Sequence, residues 1–303
     1  MPFDHVRNRA EPVRWRLGGI DNRLHLVLQD QREIIFCIRP DDVRAVILWS
    51  VPAHAAYPTP VTGRCDLLIR SYWKDFDWLE LCLASISHYC RGFGEVILVV
   101  PRSAEPWLRR AHIAQQATII LCADYQDDYL GQQVTKLKAD TITGADLVCH
   151  VDSDCMFSCQ TSPEDLLHDG KPRLAYLPSG ALDRYHPWRR PTERFLGWPV
   201  KHDFMQQPPF VYPRWLYSAV RKHAIRQHGT DIETYVMGQA PRGFSEFNVL
   251  GAYAWRYHRD KFSWIDVRAL GPGQQRCRWY WSWGGIDSAV RADAATLLTN
   301  REP

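Results

Sequence analysis

The sequence of 303 residues predicts an α/β protein: a mostly parallel sheet sandwiched by helices, preceded by a small β-rich unit. Three observations lead there. From Cys65 onward, strand-length apolar runs alternate with segments of helical apolar spacing. Those runs are apolar at successive positions, as strands covered on both faces must be. Before residue 64 the apolar runs are parted only by polar turns, the pattern of antiparallel strands. With 46% hydrophobic residues the chain can bury one large core, or one core with a smaller appended domain.

Residues 1–63 form the N-terminal unit, with strands predicted at 24–28, 34–38 and 46–49. Residues 51–60 hold three prolines and no periodicity, which marks a linker or a draped segment. Residues 64–303 form the α/β domain. A strand at 66–71 precedes a helix at 76–89, where Leu79, Cys82, Leu83 and Ile86 share one face. A strand at 96–100 stops at Pro101, and a short helix follows at 107–113. Next come a strand at 117–122, a helix at 132–141 and a strand at 145–151. After Asp154 the pattern loosens; helices at 215–227 and 246–257 and a strand at 262–267 remain readable. In parallel sheets of this kind, ligands sit beyond the carboxyl ends of the strands.

Composition excludes several classes. Charged residues make up 23% and no low-complexity tract occurs, which excludes a mostly disordered chain. No apolar run reaches the roughly 18 residues a membrane-spanning helix needs. Residues 1–16 mix both charges with two prolines and lack an apolar signal core, so a cytoplasmic location is expected. The nine cysteines are scattered, and Cys37, Cys122 and Cys149 lie in apolar strands, the usual place of reduced, buried thiols. Cys155 and Cys159 have no second pair at zinc spacing, which argues against a structural zinc. The net charge of +3 hides an asymmetry: between Lys171 and Thr230 eleven Lys and Arg face three acids, a local +8 that leaves −5 elsewhere. Such a surface favours an anionic partner.

His150, Val151, Asp152, Ser153 and Asp154 end the last strand before the pattern loosens. In extended geometry residues i and i+2 point the same way, so the Asp152 and Asp154 carboxylates can converge on one cation. Mn²⁺ or Mg²⁺ takes hard oxygen ligands, often one or two carboxylates plus substrate phosphates. A cation held there would neutralise the diphosphate of a nucleotide-sugar and stabilise the departing nucleoside diphosphate. Two solvated turn acids give the same pattern; the position after a buried strand near mid-chain sets this pair apart.

The chain resembles the GT-A-type glycosyltransferases, and within them a bacterial and phage group with an Asp-Ser-Asp metal motif and a later Ser-Glu-Phe-Asn motif. Four ordered pieces carry the resemblance: Asp66-Leu67-Leu68-Ile69-Arg70-Ser71-Tyr72; Gly131-Gln132-Gln133-Val134-Thr135-Lys136-Leu137; His150-Val151-Asp152-Ser153-Asp154; and Phe244-Ser245-Glu246-Phe247-Asn248. They span residues 65 to about 258. The resemblance implies a GT-A-like, Rossmann-like fold and metal-dependent transfer of a sugar from a nucleotide-sugar, UDP-linked, to an acceptor hydroxyl, with Mn²⁺ or Mg²⁺ as cofactor. It also implies roles. Ser71 and Tyr72 would line the nucleobase and ribose pocket. Gln133 and Lys136 would reach from a helix, Lys136 as a phosphate or sugar contact or else as an exposed helix lysine. Asp152 would contact ribose or metal, Ser153 would lie beside it on the nucleotide-sugar, and Asp154 would ligate the metal. Glu246 would take the proton from the acceptor hydroxyl. It also opens a predicted helix after Ser245, a plausible N-cap, and could be only an acid favoured in a first turn. An inverting reaction needs that base; a retaining one does not.

Many members of this superfamily supply a late histidine to the metal, yet no histidine follows His258. The tail offers Gly271, Pro272, Gly273, Arg276, Trp281 and Trp283, a loop that could close over the diphosphate. Arg276 and Trp283 are its candidate acceptor or phosphate contacts; the tryptophans serve equally well as core. Thirteen tryptophans are present, and Trp188 stands in the basic stretch beside Arg184, His186, Arg189 and Arg190. Aromatics among arginines suit sugar rings, and also bases flanked by phosphates. Trp188, Arg189 and Arg190 are therefore candidate contacts to an anionic acceptor, a glycan or lipid-linked sugar. The alternative acceptor is a 5-hydroxymethylated pyrimidine in DNA, which would have to leave the base stack. A nucleotidyltransferase also uses paired acids, but needs a phosphate loop where this chain has Tyr72-Trp73-Lys74-Asp75. The third alternative is a non-catalytic nucleic-acid-binding module.

Overall fold

A computed structural model describes residues 14–17, 23–27, 33–39, 42–51, 63–108, 113, 116–178, 187–271 and 275–299. Residues 52–60 of the expected linker, residues 109–112 of the short helix, and Arg184, His186, Pro272 and Gly273 lie outside these. The chain divides into two compact units, Met1–Pro58 and Thr59–Pro303. In the first, β1 (Arg14–Leu17), β2 (Arg23–Val27), β3 (Glu33–Arg39) and β4 (Asp42–Val51) form an antiparallel meander in chain order. The sequence pattern marks the last three; β1, only four residues long, escapes it.

The second unit is built on β5 (Cys65–Arg70), α1 (Phe76–Tyr89), β6 (Val96–Pro101), α2 (Glu105–Leu108) and β7 (Thr118–Cys122). Then follow α3 (Asp128–Leu137), α4 (Ala139–Ile142) and β8 (Leu147–Asp152). The predicted helix at 132–141 thus begins earlier and breaks in two. Asp127 caps it, its carboxylate accepting the Leu130 N–H at 3.1 Å, and Lys138 leaves helical geometry at φ −106°, ψ 14°. After β9 (Cys155–Phe157) the chain forms β10 (Leu167–His168), β11 (Lys171–Pro178), α5 (Arg189–Leu196), β12 (His202–Asp203) and β13 (Phe210–Pro213). It ends with α6 (Arg214–His228), α7 (Ile232–Met237), α8 (Glu246–Tyr257), β14 (Ser263–Asp266), β15 (Cys277–Trp279) and α9 (Ser288–Thr299).

The central sheet runs β13-β8-β5-β6-β7 and is mainly parallel; only β13 is antiparallel to its neighbour. All six residues of β5 are buried, and its apolar residues divide between two cores. Leu68 faces one with Val148, Val134 and the aromatic residues of α6 and α8; Leu67 and Ile69 face the other with Leu79, Leu83 and Ile86 of α1. Helices on both faces explain why these strands are continuously apolar. The residues predicted as a strand at 262–267 join a second sheet, where β14 lies parallel to β11. β15 pairs antiparallel with β9, and α9 packs on α1. Among the described residues no helix is long and apolar enough to cross a membrane.

From β5 the chain moves outward through β6 and β7, then returns to lay β8 on the other side of β5. The strand order therefore reverses between β5 and β8, and a crevice opens at such a switch point beyond the carboxyl ends. Arg70 and Asp152 are register partners there.

Candidate active site at the strand ends

β8 delivers Asp152 at its last residue, and a tight turn through Ser153 and Asp154 leads into β9. Facing it, α3 brings Lys136 and α8 brings Glu246. The Lys136 ammonium lies 2.6 Å from Asp152 Oδ1 and 2.9 Å from Glu246 Oε1, with the Phe247 ring 4.7 Å away. Lys136 and Glu246 are 3% and 5% exposed, so this is a buried ion triad and not a solvated helix lysine. Burial works against the lysine charge, but the two carboxylates, Asp152 first, hold its pKa above the ordinary value.

Ser245 stands at the N-cap of α8 as expected, but it does not cap the helix with its side chain; its hydroxyl accepts from Asn248 Nδ2 at 3.1 Å. The first N–H of the helix, that of Glu246, is instead accepted by Gln133 Oε1 at 3.2 Å. Gln133 is buried, and its amide donates to the Tyr129 carbonyl at 3.4 Å. It thus holds the Glu246 backbone while Lys136, one helical turn on, holds the Glu246 side chain. Asn248 Oδ1 accepts the Phe204 N–H at 2.9 Å, so two polar residues of the Ser-Glu-Phe-Asn motif are spent on local structure.

Asp154 faces a different neighbourhood. Its Oδ2 accepts the Ser282 N–H at 3.0 Å, and its carbonyl accepts the Tyr280 N–H at 2.8 Å. Burial, then the Asp152 charge, raise its pKa to about 7, against the pull of the Ser282 N–H and Lys136. Asp75, just past the end of β5, is raised to about 6 by burial and by Asp128 and Asp152. Sequence reasoning missed Asp75, since nothing in its spacing relates it to Asp152. Arg70 and Asp128 were missed for the same reason: the buried guanidinium pairs with the Asp128 carboxylate and donates to the Ser71 carbonyl at 2.9 Å. The centre therefore gathers more carboxylates than the two buried cations balance.

Ser71 lies at the end of β5, 2% exposed; its hydroxyl and Arg70 Nε meet no partner among the described residues. Tyr72 follows, half-buried, and Ser153 is buried within the acid turn. Trp283 is brought near Asp154 by the Ser282 contact and is 79% exposed. Arg276 goes elsewhere: it reaches the Asp165 carboxylate at 3.1 Å and the Gln160 carbonyl at 2.8 Å, at the far end of the β9–β15 ribbon from Asp154. Trp188 precedes α5, its carbonyl accepting the Thr192 N–H at 2.9 Å. Arg189 pairs along that helix with Glu193 at 3.0 Å, and Arg190 lines an open surface cleft with Arg194 and Trp198. Among the described residues no group of three or more His, Cys, Asp or Glu converges as a metal site.

No protein-family model and no curated protein matches the sequence. Among solved structures, the chain is similar to the crystal structure of the glycosyltransferase GlyE in Streptococcus pneumoniae TIGR4, at 12% identity and a TM-score of 0.43. That likeness covers 78% of this chain and 61% of the other, so the chain spans about three fifths of that protein.

Proposed function

We propose that the chain is a metal-dependent glycosyltransferase that moves a sugar from a nucleotide-sugar, UDP-linked, to an acceptor hydroxyl. The observation that carries this is the acid turn at the switch point, where burial and neighbouring carboxylates, Asp152 among them, raise the pKa values of Asp154 and Asp75. Such clusters are unfavourable for the empty protein and characteristic of functional sites. The donor set fits a hard divalent cation: Asp152 and Asp154 would hold it, with water and phosphate oxygens completing its shell. Bound there, it would supply charge neutralisation for the departing nucleoside diphosphate.

The chain's own residues account for the rest. The Ser71 hydroxyl, buried at the end of β5 without a partner among the described residues, would turn to a ribose or base. Lys136 fixes the Glu246 carboxylate through Oε1, leaving Oε2 for the proton of the acceptor hydroxyl as its oxygen attacks the anomeric carbon. The acceptor is a glycan or lipid-linked sugar, and the basic excess between Lys171 and Thr230 favours an anionic one. A panel of nucleotide-sugars with Mn²⁺, scored by released nucleoside diphosphate, tests this. Release that depends on Asp154 and Glu246 supports it; no release from any donor refutes it. Release stimulated only by hydroxymethylated DNA would move the acceptor to the DNA alternative.

A further inference from the structure

Beside the acid turn, the segment that continues β15 carries a row of indoles. Trp279 and Trp281 stack with ring centroids 4.8 Å apart and planes 20° from parallel; Trp281 and Trp283 meet edge to face at 6.1 Å. Trp281 is 54% exposed and Trp283 79%. Large aromatic faces left this open to water mark a binding surface more often than a packing accident.

The row is firmly placed. Trp279 is the register partner of Cys155, the residue after Asp154. The N–H groups of Tyr280 and Ser282, which alternate with the tryptophans, are both accepted by Asp154. The Tyr280 ring lies 5.6 Å from that of Trp78, and its hydroxyl is bonded to Asp293. The indoles therefore stand on a hydrogen-bonded ribbon fixed to a proposed metal-holding residue.

Charge narrows the occupant. The charged residues of segment 277–287 are Arg278 and Asp287, and Arg278 is paired with Asp293. A nucleic-acid strand needs cations along its backbone as well as rings for its bases. This segment has rings without a free cation, beside the Asp154 carboxylate. Sugar rings need only the apolar C–H face to lie on an indole, with their hydroxyls left to water and to neighbouring acceptors.

We propose that Trp281 and Trp283 form a saccharide platform that seats the uncharged sugar rings of the acceptor next to Asp154, its anionic group being left to the basic stretch between Lys171 and Thr230; the role rests on the glycosyl-transfer reading above. Calorimetric titration with three neutral hexasaccharides (a β1,4-glucan, an α1,4-glucan and a β1,4-linked N-acetylglucosamine oligomer) tests it, with a 12-nucleotide single-stranded DNA for comparison. At least one hexasaccharide should bind the wild-type protein more tightly than the DNA does. Trp281→Ala and Trp283→Ala should each weaken that binding about tenfold, and Trp283→Phe should restore most of it. Trp283 is largely exposed, so its variants should melt with the wild type, and Trp281→Ala, which loses the stack on Trp279, should melt only slightly lower. No hexasaccharide binding at millimolar concentration, binding indifferent to both alanine substitutions, or tighter DNA binding that they abolish would each overturn the platform. The melting-temperature shift from UDP with Mn²⁺, read on the same proteins, separates the two inferences. Its absence in the wild type removes glycosyl transfer and leaves saccharide binding to be judged by calorimetry; its loss in Trp283→Ala reassigns the residue to the donor and overturns the acceptor role.

Discussion

Lys136 is the residue on which the centre turns, because it is the buried cation between two carboxylates that come from different elements. Replacing it by methionine keeps the stem and removes the charge, leaving Asp152 and Glu246 without their counter-ion. The expected loss is about 3–5 kcal/mol of stability, measured by urea denaturation at pH 7.5. Glu246→Gln keeps the shape and the acceptor for Lys136 but cannot take a proton. Turnover should fall by roughly 10²–10⁴-fold, while the shift of melting temperature by UDP and Mn²⁺ is retained. Asp154 behaves in the opposite sense. Its folded pKa, about 7, is above the ordinary carboxylate value, so its stability contribution is most favourable at low pH and is lost as pH rises through about 7. Asp154→Asn should therefore raise the melting temperature in EDTA, more at pH 8 than at pH 5. An equal or opposite effect at the two pH values would remove the charge-crowding account of the turn.

At the scale of elements, α8 is the part that positions the candidate base, and its packing constrains it closely. Gly251 sits in its middle, where a methyl group would overlap Cβ and the ring of Phe204. Phe204 is held in place by the bond from its N–H to Asn248. Alanine's better helix propensity, worth about 1 kcal/mol, is thus set against overpacking that costs about 1–3 kcal/mol. Gly251→Ala should lower the melting temperature; a rise would mean that Phe204 moves freely. The packing of α6 on α5 carries a pH dependence. His223 of α6 donates from Nε2 to the Leu196 carbonyl at 3.1 Å and stacks edge-on with Phe195. Burial, and then Arg226, lower its pKa to about 4. Between 6.5 and about 4 the unfolded chain binds the extra proton, so stability falls as pH drops through that window. His223→Gln should flatten the curve of melting temperature against pH between those values.

For the whole molecule, what the sequence makes legible follows from physical range. β5, β6, β8, α1 and α8 are found by apolar spacing because their periodicity is local, and α8 runs over the same residues, 246–257, that the spacing marks. Of the second sheet only β14 is readable: β10 and β12 are two residues long, too short for an apolar pattern, and β12 meets β11 only after the whole of α5 has intervened. The helices α5 and α9 are missed for another reason: α5 begins with two arginines and a proline, and α9 presents only Ala294 and Leu297 as buried residues. At the site, Asp152 and Asp154 are visible as a spacing, whereas the distance from Lys136 to Glu246, 110 residues on, exists only in the fold. Asp75 and the Arg70–Asp128 pair carry no pattern at all, and Arg276 shows that a charged residue in a suggestive tail can be spent on a neighbour, Asp165.

A metal and nucleotide-diphosphate site at the acid turn should show itself most directly in thermal denaturation of the wild type and Asp154→Ala, each with UDP and Mn²⁺ alone and together. The two ligands together should raise the wild-type melting temperature more than either alone, and Asp154→Ala should abolish the joint shift. A wild type indifferent to the pair, or a variant that shifts as much as the wild type, would contradict such a site.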